Sequence, residues 1–383
     1  MVVARSIPSL TGIRGVAALW VVLFHIGQGI PGYTIISGLN SSSFIYNGFR
    51  GVDLFFLLSG FIMMHAHAAD FAMGIRRNAL KRFALLRWFR IYPAHLVVML
   101  LLLALVLATP AYVAWSRGWN ATLHTPAYTL LSFIQTATLT TRWLVPDFGM
   151  WNGVTWTLSA ELLAYGTLPF LAFWLARVRS SGMCLVIAAA SLLAMLGFLL
   201  AIGNVDAGNP NRPGLARGFG EFAAGAALYR FVILVDLTEA QVRIGAILSA
   251  VAIVGLLFFR RLVILEPFAF GSLIVFLSLQ TGFIDQVLRS PLPMFLGRIS
   301  FSLYLVHATP LFLLYWLIQS GRLSSTPSYT ALWLGITLAL IFALSYVLHV
   351  VIERPSQQLG RSMARRWSLS PSTMQATAAE VVR

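Results

Sequence analysis

Arg14 and His25 stand eleven residues apart in SLTGIRGVAALWVVLFH, with only apolar or small residues between them. On an α-helix that spacing is three turns plus about 20° and a rise of about 16 Å, so both side chains share one face. The guanidinium is either a snorkelling anchor at a membrane rim or part of an anion site. The imidazole, set near the middle of an apolar segment, is either an interhelical hydrogen-bonding group or a general base that titrates near neutrality.

The remaining candidates follow the same pattern of polar groups inside apolar runs. Asp53 opens GVDLFFLLSGFIMMHAHA. It is either a carboxylate favoured by the helix dipole or a partner that fixes the His25 tautomer. In the same run Ser59-Gly60 permits close backbone approach, and His65 and His67 fall towards an interfacial end. Arg87 and Arg90 of RWFRIYP are three residues apart and share a face, as rim anchors or as a bidentate phosphate clamp. Glu161 in WTLSAE is costly inside a membrane unless it is paired or functional. Glu221 in GFGEFAAG reads as a rim carboxylate beside close-packed glycines. Tyr304 and His307 in GRISFSLYLVH are again three apart, and with Ser59 they are candidates for substrate contact. Glu353 and Arg354 of ERP read as the cap and stop of the last segment.

The elements that must position these groups are membrane helices. Of 383 residues, 58% are hydrophobic and only 10% charged, against roughly 25% in soluble domains. The mean hydropathy is +0.82. Ten apolar segments lie near 13–29, 50–68, 91–113, 153–176, 182–203, 218–235, 243–259, 263–281, 299–319 and 329–352, each about the 20 residues that a bilayer core needs. The expected fold is an all-α integral membrane protein of about ten transmembrane helices, spanning 1–356, followed by a basic, disordered tail over 357–383. Arginines in the 69–90 connection and the tail put both termini in the cytoplasm, with Arg260 and Arg261 against the rule. The opposite side carries the 114–152 connection, whose middle, AYTLLSFIQTATL, is too short to span, and the polar loop over 204–217.

The net charge of +15 comes from 27 basic residues against 12 acidic ones. Their placement between apolar segments suits lipid headgroups and argues against nucleic acid. The one cysteine, Cys184, forms no intrachain disulfide. No metal is expected, since the histidines lack a carboxylate cluster, and no nucleophile elbow, P-loop or dinucleotide fingerprint is present. Trp115, Trp119, Trp143 and Trp151 serve either to stack on sugars or to line a membrane interface.

Six blocks in order, Arg14-x10-His25, GVDLFFLLSGFIM, RWFRIYP, WTLSAE, GRISFSLYLVH and ERP, resemble those of the acyltransferase 3 family over residues 6 to 356. The chain is similar to the stand-alone members, without room for an SGNH domain. The resemblance implies a multi-pass protein of the bacterial inner membrane that moves an acyl group, most often acetyl, from cytoplasmic acyl-CoA to a hydroxyl of a cell-surface or secreted glycan or related acceptor. By that resemblance Arg14, Arg87 and Arg90 hold the CoA phosphates, His25 is the base, and Glu161 or Asp53 orients it or polarises the acceptor. Direct transfer is favoured over an acyl-enzyme on Ser59, Ser159 or His25. A transporter or lipid-linked glycan flippase is the competing reading, and it requires inverted repeats and paired broken helices.

Overall fold

The computed structural model describes residues 7–27, 42–119, 128–141, 143, 151–202, 214–259 and 263–368. Trp119's side chain, Arg260, Arg261, most of the 204–217 loop and the chain beyond Ser368 lie outside the described residues. Each of the ten apolar segments is built on helix over its described residues. They are α1 (Pro8–Gly27), α2 (Gly51–Phe71), α3 (Arg77–Ala108), then, after α4 (Pro110–Trp119) and α5 (Leu130–Ala137), α6 (Trp156–Leu175), α7 (Ser181–Ala201), α8 (Gly214–Leu234), α9 (Glu239–Phe258) and α10 (Glu266–Ser278). The bent pair α11 (Pro291–Val306) and α12 (Ala308–Gln319) precedes α13 (Pro327–Leu348) and α14 (Arg354–Ser368).

Seven of these helices are long and apolar enough to cross a membrane, or eight with the α11–α12 pair counted as one span. The two that fall short of the expected ten have physical reasons. Helix α8 carries Arg217, Glu221 and Arg230, and α10 has only 13 residues. Three boundaries depart from the sequence expectation. Helix α3 begins at Arg77, so RWFRIYP lies inside it rather than at its start. ERP does not end the last helix. A π-helical turn, His349–Glu353, carries the chain from α13 into α14, so Pro355 lies inside a continuous helical run. The tail expected from 357 is therefore helical as far as Ser368. The apolar middle of the 114–152 connection is α5, capped at Thr129 by a capping box with Ser132. It docks on α3 where His95 Nε2 donates to the Thr136 carbonyl at 2.8 Å.

Two glycine contacts set the helix frame. A Cβ at Gly15 would strike the backbone of Gly297, and one at Gly297 would strike Thr11, so α1 and α11 touch backbone to backbone. Helices α2 and α8 cross in the same manner at Gly60 and Gly225. Without a hydrophobic driving force between helices in lipid, such small-residue contacts supply the close packing that holds them.

Candidate active site

The α1–α11 contact explains the principal feature of the site. His25 lies ten residues beyond Gly15, and His307 lies ten residues beyond Gly297. Both chains rise about 15 Å over that distance in the same direction, so the imidazoles arrive at one level. Their ring centroids are 4.9 Å apart, and His307 Nε2 is 3.3 Å from His25 Nδ1. Pro310 adds a local cause. It cannot donate to the Val306 carbonyl, and the helix bends by 49° at His307.

The carbonyl partners fix both tautomers, because a carbonyl oxygen only accepts. His307 Nδ1 donates to Leu303 O at 3.1 Å, which leaves its Nε2 as an acceptor. His25 Nδ1 donates to Val21 O at 2.9 Å and shares that proton with His307 Nε2. The lone pair of His25 is therefore on Nε2. His307 is fully buried and His25 half-buried. Tyr315 Oη donates to the His25 carbonyl at 3.0 Å and anchors this end of α1.

A cavity of about 670 Å³ occupies the other half of the bundle. Arg14, Arg87 and Arg90 line it, as do Ser59, Glu161 and Tyr304. The structure thus brings arginines of two separate sequence blocks to one cavity. Arg14 donates to Gly297 O at 3.3 Å. Arg87 donates to Met63 Sδ at 3.2 Å and lies 5.8 Å from the Tyr165 ring centroid. Glu161 accepts from Ser59 Oγ at 2.5 Å and from Tyr165 Oη. The hydroxyl and the carboxylate of two separate sequence blocks are thereby one hydrogen-bonded unit across α2 and α6.

Tyr304 lines the cavity and also neighbours the histidine pair. Its hydroxyl accepts from Thr157 Oγ1 at 3.0 Å and donates to Val154 O at 3.2 Å. Its ring stands 5.7 Å from that of His307. Arg14 and His25 both face α11, as their shared helix face requires, but only Arg14 is among the residues that line the cavity.

Two candidates are placed differently from the sequence reading. Asp53 does not reach His25. Gly51 faces Ala17 and Val21 of α1, and Asp53, two residues or about 200° further round, points away towards α8. There it accepts from Arg217 Nε at 2.9 Å and from Arg50 Nη1 at 3.2 Å. Buried Glu221 and Glu266 share the neighbourhood, with Arg50 Nε 3.6 Å from Glu266. Glu353, expected as a helix stop, is a buried acceptor in the cavity wall. It pairs with Arg90 and accepts from Ser302 Oγ at 2.7 Å, His349 Nδ1 at 2.9 Å and Gln357 Nε2 at 3.1 Å. The cavity is also lined by Arg298 and Arg361, and by Arg354, expected only as part of a helix stop.

One signal for the histidine pair was available in the sequence. GVAALWVVLFH and GRISFSLYLVH both place histidine ten residues after a glycine. Nothing comparable marks Arg217 as the partner of Asp53, 164 residues away.

A family model described as an acyltransferase domain matches residues 7–350. No curated protein and no solved structure matches the chain.

Proposed function

The chain belongs to the acyltransferase 3 family and is a membrane acyltransferase, and from that premise we propose that it moves an acyl group, most simply acetyl, from acyl-CoA to a hydroxyl of a glycan or related acceptor. The observation that carries this reading is the adjacency of an arginine-lined cavity and a histidine pair in which, among the described residues, the His25 Nε2 lone pair has no hydrogen-bond partner. Phosphates suit the arginines, which offer fixed forks of donors. The thioester arm extends from them towards Tyr304, and the acyl group passes that ring to meet His25.

His25 Nε2 takes the proton from the acceptor hydroxyl. The oxygen attacks the thioester carbonyl, the C–S bond breaks, and the leaving thiolate takes the proton back from the imidazolium. His307 acts as a positioning residue. Its Nε2 and the Val21 carbonyl hold the Nδ1 proton throughout, so only Nε2 exchanges protons. A site walled by apolar helices keeps water from the thioester. The arginine-rich end of the bundle faces the cytoplasm of the inner membrane in this scheme, which supplies the donor there and the acceptor at the opposite face.

Binding of acetyl-CoA to the purified, detergent-solubilised protein tests the donor assignment. Saturable binding weakened about tenfold by Arg14→Ala is expected, the loss of one charge-assisted contact. A folded protein that binds no acetyl-CoA would overturn the reading.

A further inference from the structure

The cavity's arginines fall into two groups that differ in exposure and in counter-charge. Arg14, Arg87 and Arg90 are half-buried within the bundle, and Arg90 is neutralised by Glu353. Arg298, Arg354 and Arg361 are exposed at the cavity's edge. Among the described residues none of these three has a carboxylate within ion-pairing distance. The cavity lining as a whole holds six arginines against two carboxylates, Glu161 and Glu353.

The edge group is built by α14. Positions 354 and 361 are seven residues apart, within about 20° of one another round the helix and about 10 Å along it. Gln357 lies between them on the same side, its amide tied to Glu353. The helix is held in register against α3. Ser356 Oγ donates to Phe89 O at 3.1 Å, and Gly360 rests on the Phe89 ring. Phe89 adjoins Arg90, so the docking of α14 and the placement of the inner arginines are one arrangement. Arg365, also exposed on α14, does not line the cavity.

We infer that Arg298, Arg354 and Arg361 form a second anion subsite, which takes a phosphate ester separate from the phosphates held inside. The inference rests on the acyl-CoA reading above. Coenzyme A carries its phosphates in two places, a pyrophosphate next to the pantetheine arm and a 3′-phosphate on the ribose. A slender arm directed inwards leaves the nucleotide end at the cavity edge, where the three arginines have no carboxylate partner among the described residues. On this assignment α14 is the element that reads the 3′-phosphate. A phospholipid headgroup presents the same phosphate-ester chemistry, and the nucleotide is favoured because the arginines open into the donor cavity.

The test is equilibrium binding by the full chain in phosphatidylcholine nanodiscs, with coenzyme A and 3′-dephospho-coenzyme A as paired probes. The wild type is expected to bind coenzyme A about tenfold more tightly than the dephospho form, one charge-assisted phosphate contact. Arg354→Ala with Arg361→Ala is expected to erase that ratio while leaving affinity for the dephospho form unchanged. Arg365→Ala, which removes the same charge from the same helix away from the cavity, is expected to preserve the ratio. Equal binding of both probes by the wild type, or a ratio that survives the double substitution, sinks the subsite alone. Binding of neither probe removes the donor reading and the subsite with it. In nanodiscs containing phosphatidylglycerol, a double variant that retains less anionic lipid yet keeps the coenzyme A ratio would assign the arginines to headgroups and overturn the inference.

Discussion

Two sets of buried charges lie side by side on α2, and they have opposite characters. Asp53 belongs to a sealed cluster with Arg50, Arg217, Glu221 and Glu266, each of them 4% exposed or less. Ser59, six residues along, belongs to the open cavity with Glu161 and the arginines. Six residues turn the helix by about 240° from Asp53, so one side chain faces α8 and the other faces α6. In the sealed cluster both arginines pair with Asp53, and Arg50 also lies beside Glu266. In the open site cations outnumber carboxylates and face empty volume. An ionisable residue inside a membrane domain is thus not in itself a site. The difference lies in whether its charge is already answered by the protein.

This contrast can be broken in four ways. The largest effect is expected from His25→Ala, a loss of about 1,000-fold in turnover, as for removal of a general base. Acyl-CoA affinity should stay within about twofold, read by single-turnover kinetics beside equilibrium binding. Turnover that survives would place the base elsewhere. Next is Asp53→Ala, which leaves Arg217 and Arg50 buried without their shared acceptor. It should destabilise the protein by about 3 kcal/mol, seen as a lowered melting temperature, with unchanged donor affinity in the folded fraction. A variant of normal stability and impaired binding would show that the sealed cluster belongs to the site after all.

Arg90→Ala probes the one place where the two characters mix, since Arg90 lines the cavity and also neutralises Glu353. About 2 kcal/mol of stability should be lost, and Glu353→Gln in the same chain should restore much of it without restoring donor binding. If the pair restores both, Arg90 acts only through Glu353. The smallest effect is expected of Tyr304→Phe. It removes the hydrogen bonds with Thr157 and Val154, about 1 kcal/mol, but keeps the ring that lines the cavity and neighbours His307. Turnover should fall less than fivefold, and Tyr304→Ala, which removes the ring, provides the contrasting measurement of thioester hydrolysis in the absence of acceptor.

Much of the site was legible one helix at a time. Arg87 and Arg90 share a face because helices repeat every 3.6 residues, and the cavity confirms that shared face. Glu161 was marked by the cost of a carboxylate in an apolar helix, and its partners Ser59 and Tyr165 meet that cost. The reading of α3 began too late because residues 77–90 are rich in arginine, and a hydropathy criterion stops where charge begins although the helix does not. ERP reads as a stop because proline ends most helices, whereas here a π turn carries the helix through Pro355.

What the sequence by itself determined is the set of apolar helices, the faces on which polar residues recur, and the family. These depend on composition and on spacing within one helix, which backbone geometry converts directly into position. Which faces meet was decided only by the tertiary structure. His25 is joined to His307 across 282 residues, Asp53 to Arg217 across 164 and Arg90 to Glu353 across 263. In lipid, where apolar burial does not discriminate among helix faces, a few backbone-to-backbone contacts select the pairing: Gly15 on Gly297 brings His25 to His307, and Gly60 with Gly225 joins the helices of Asp53 and Arg217.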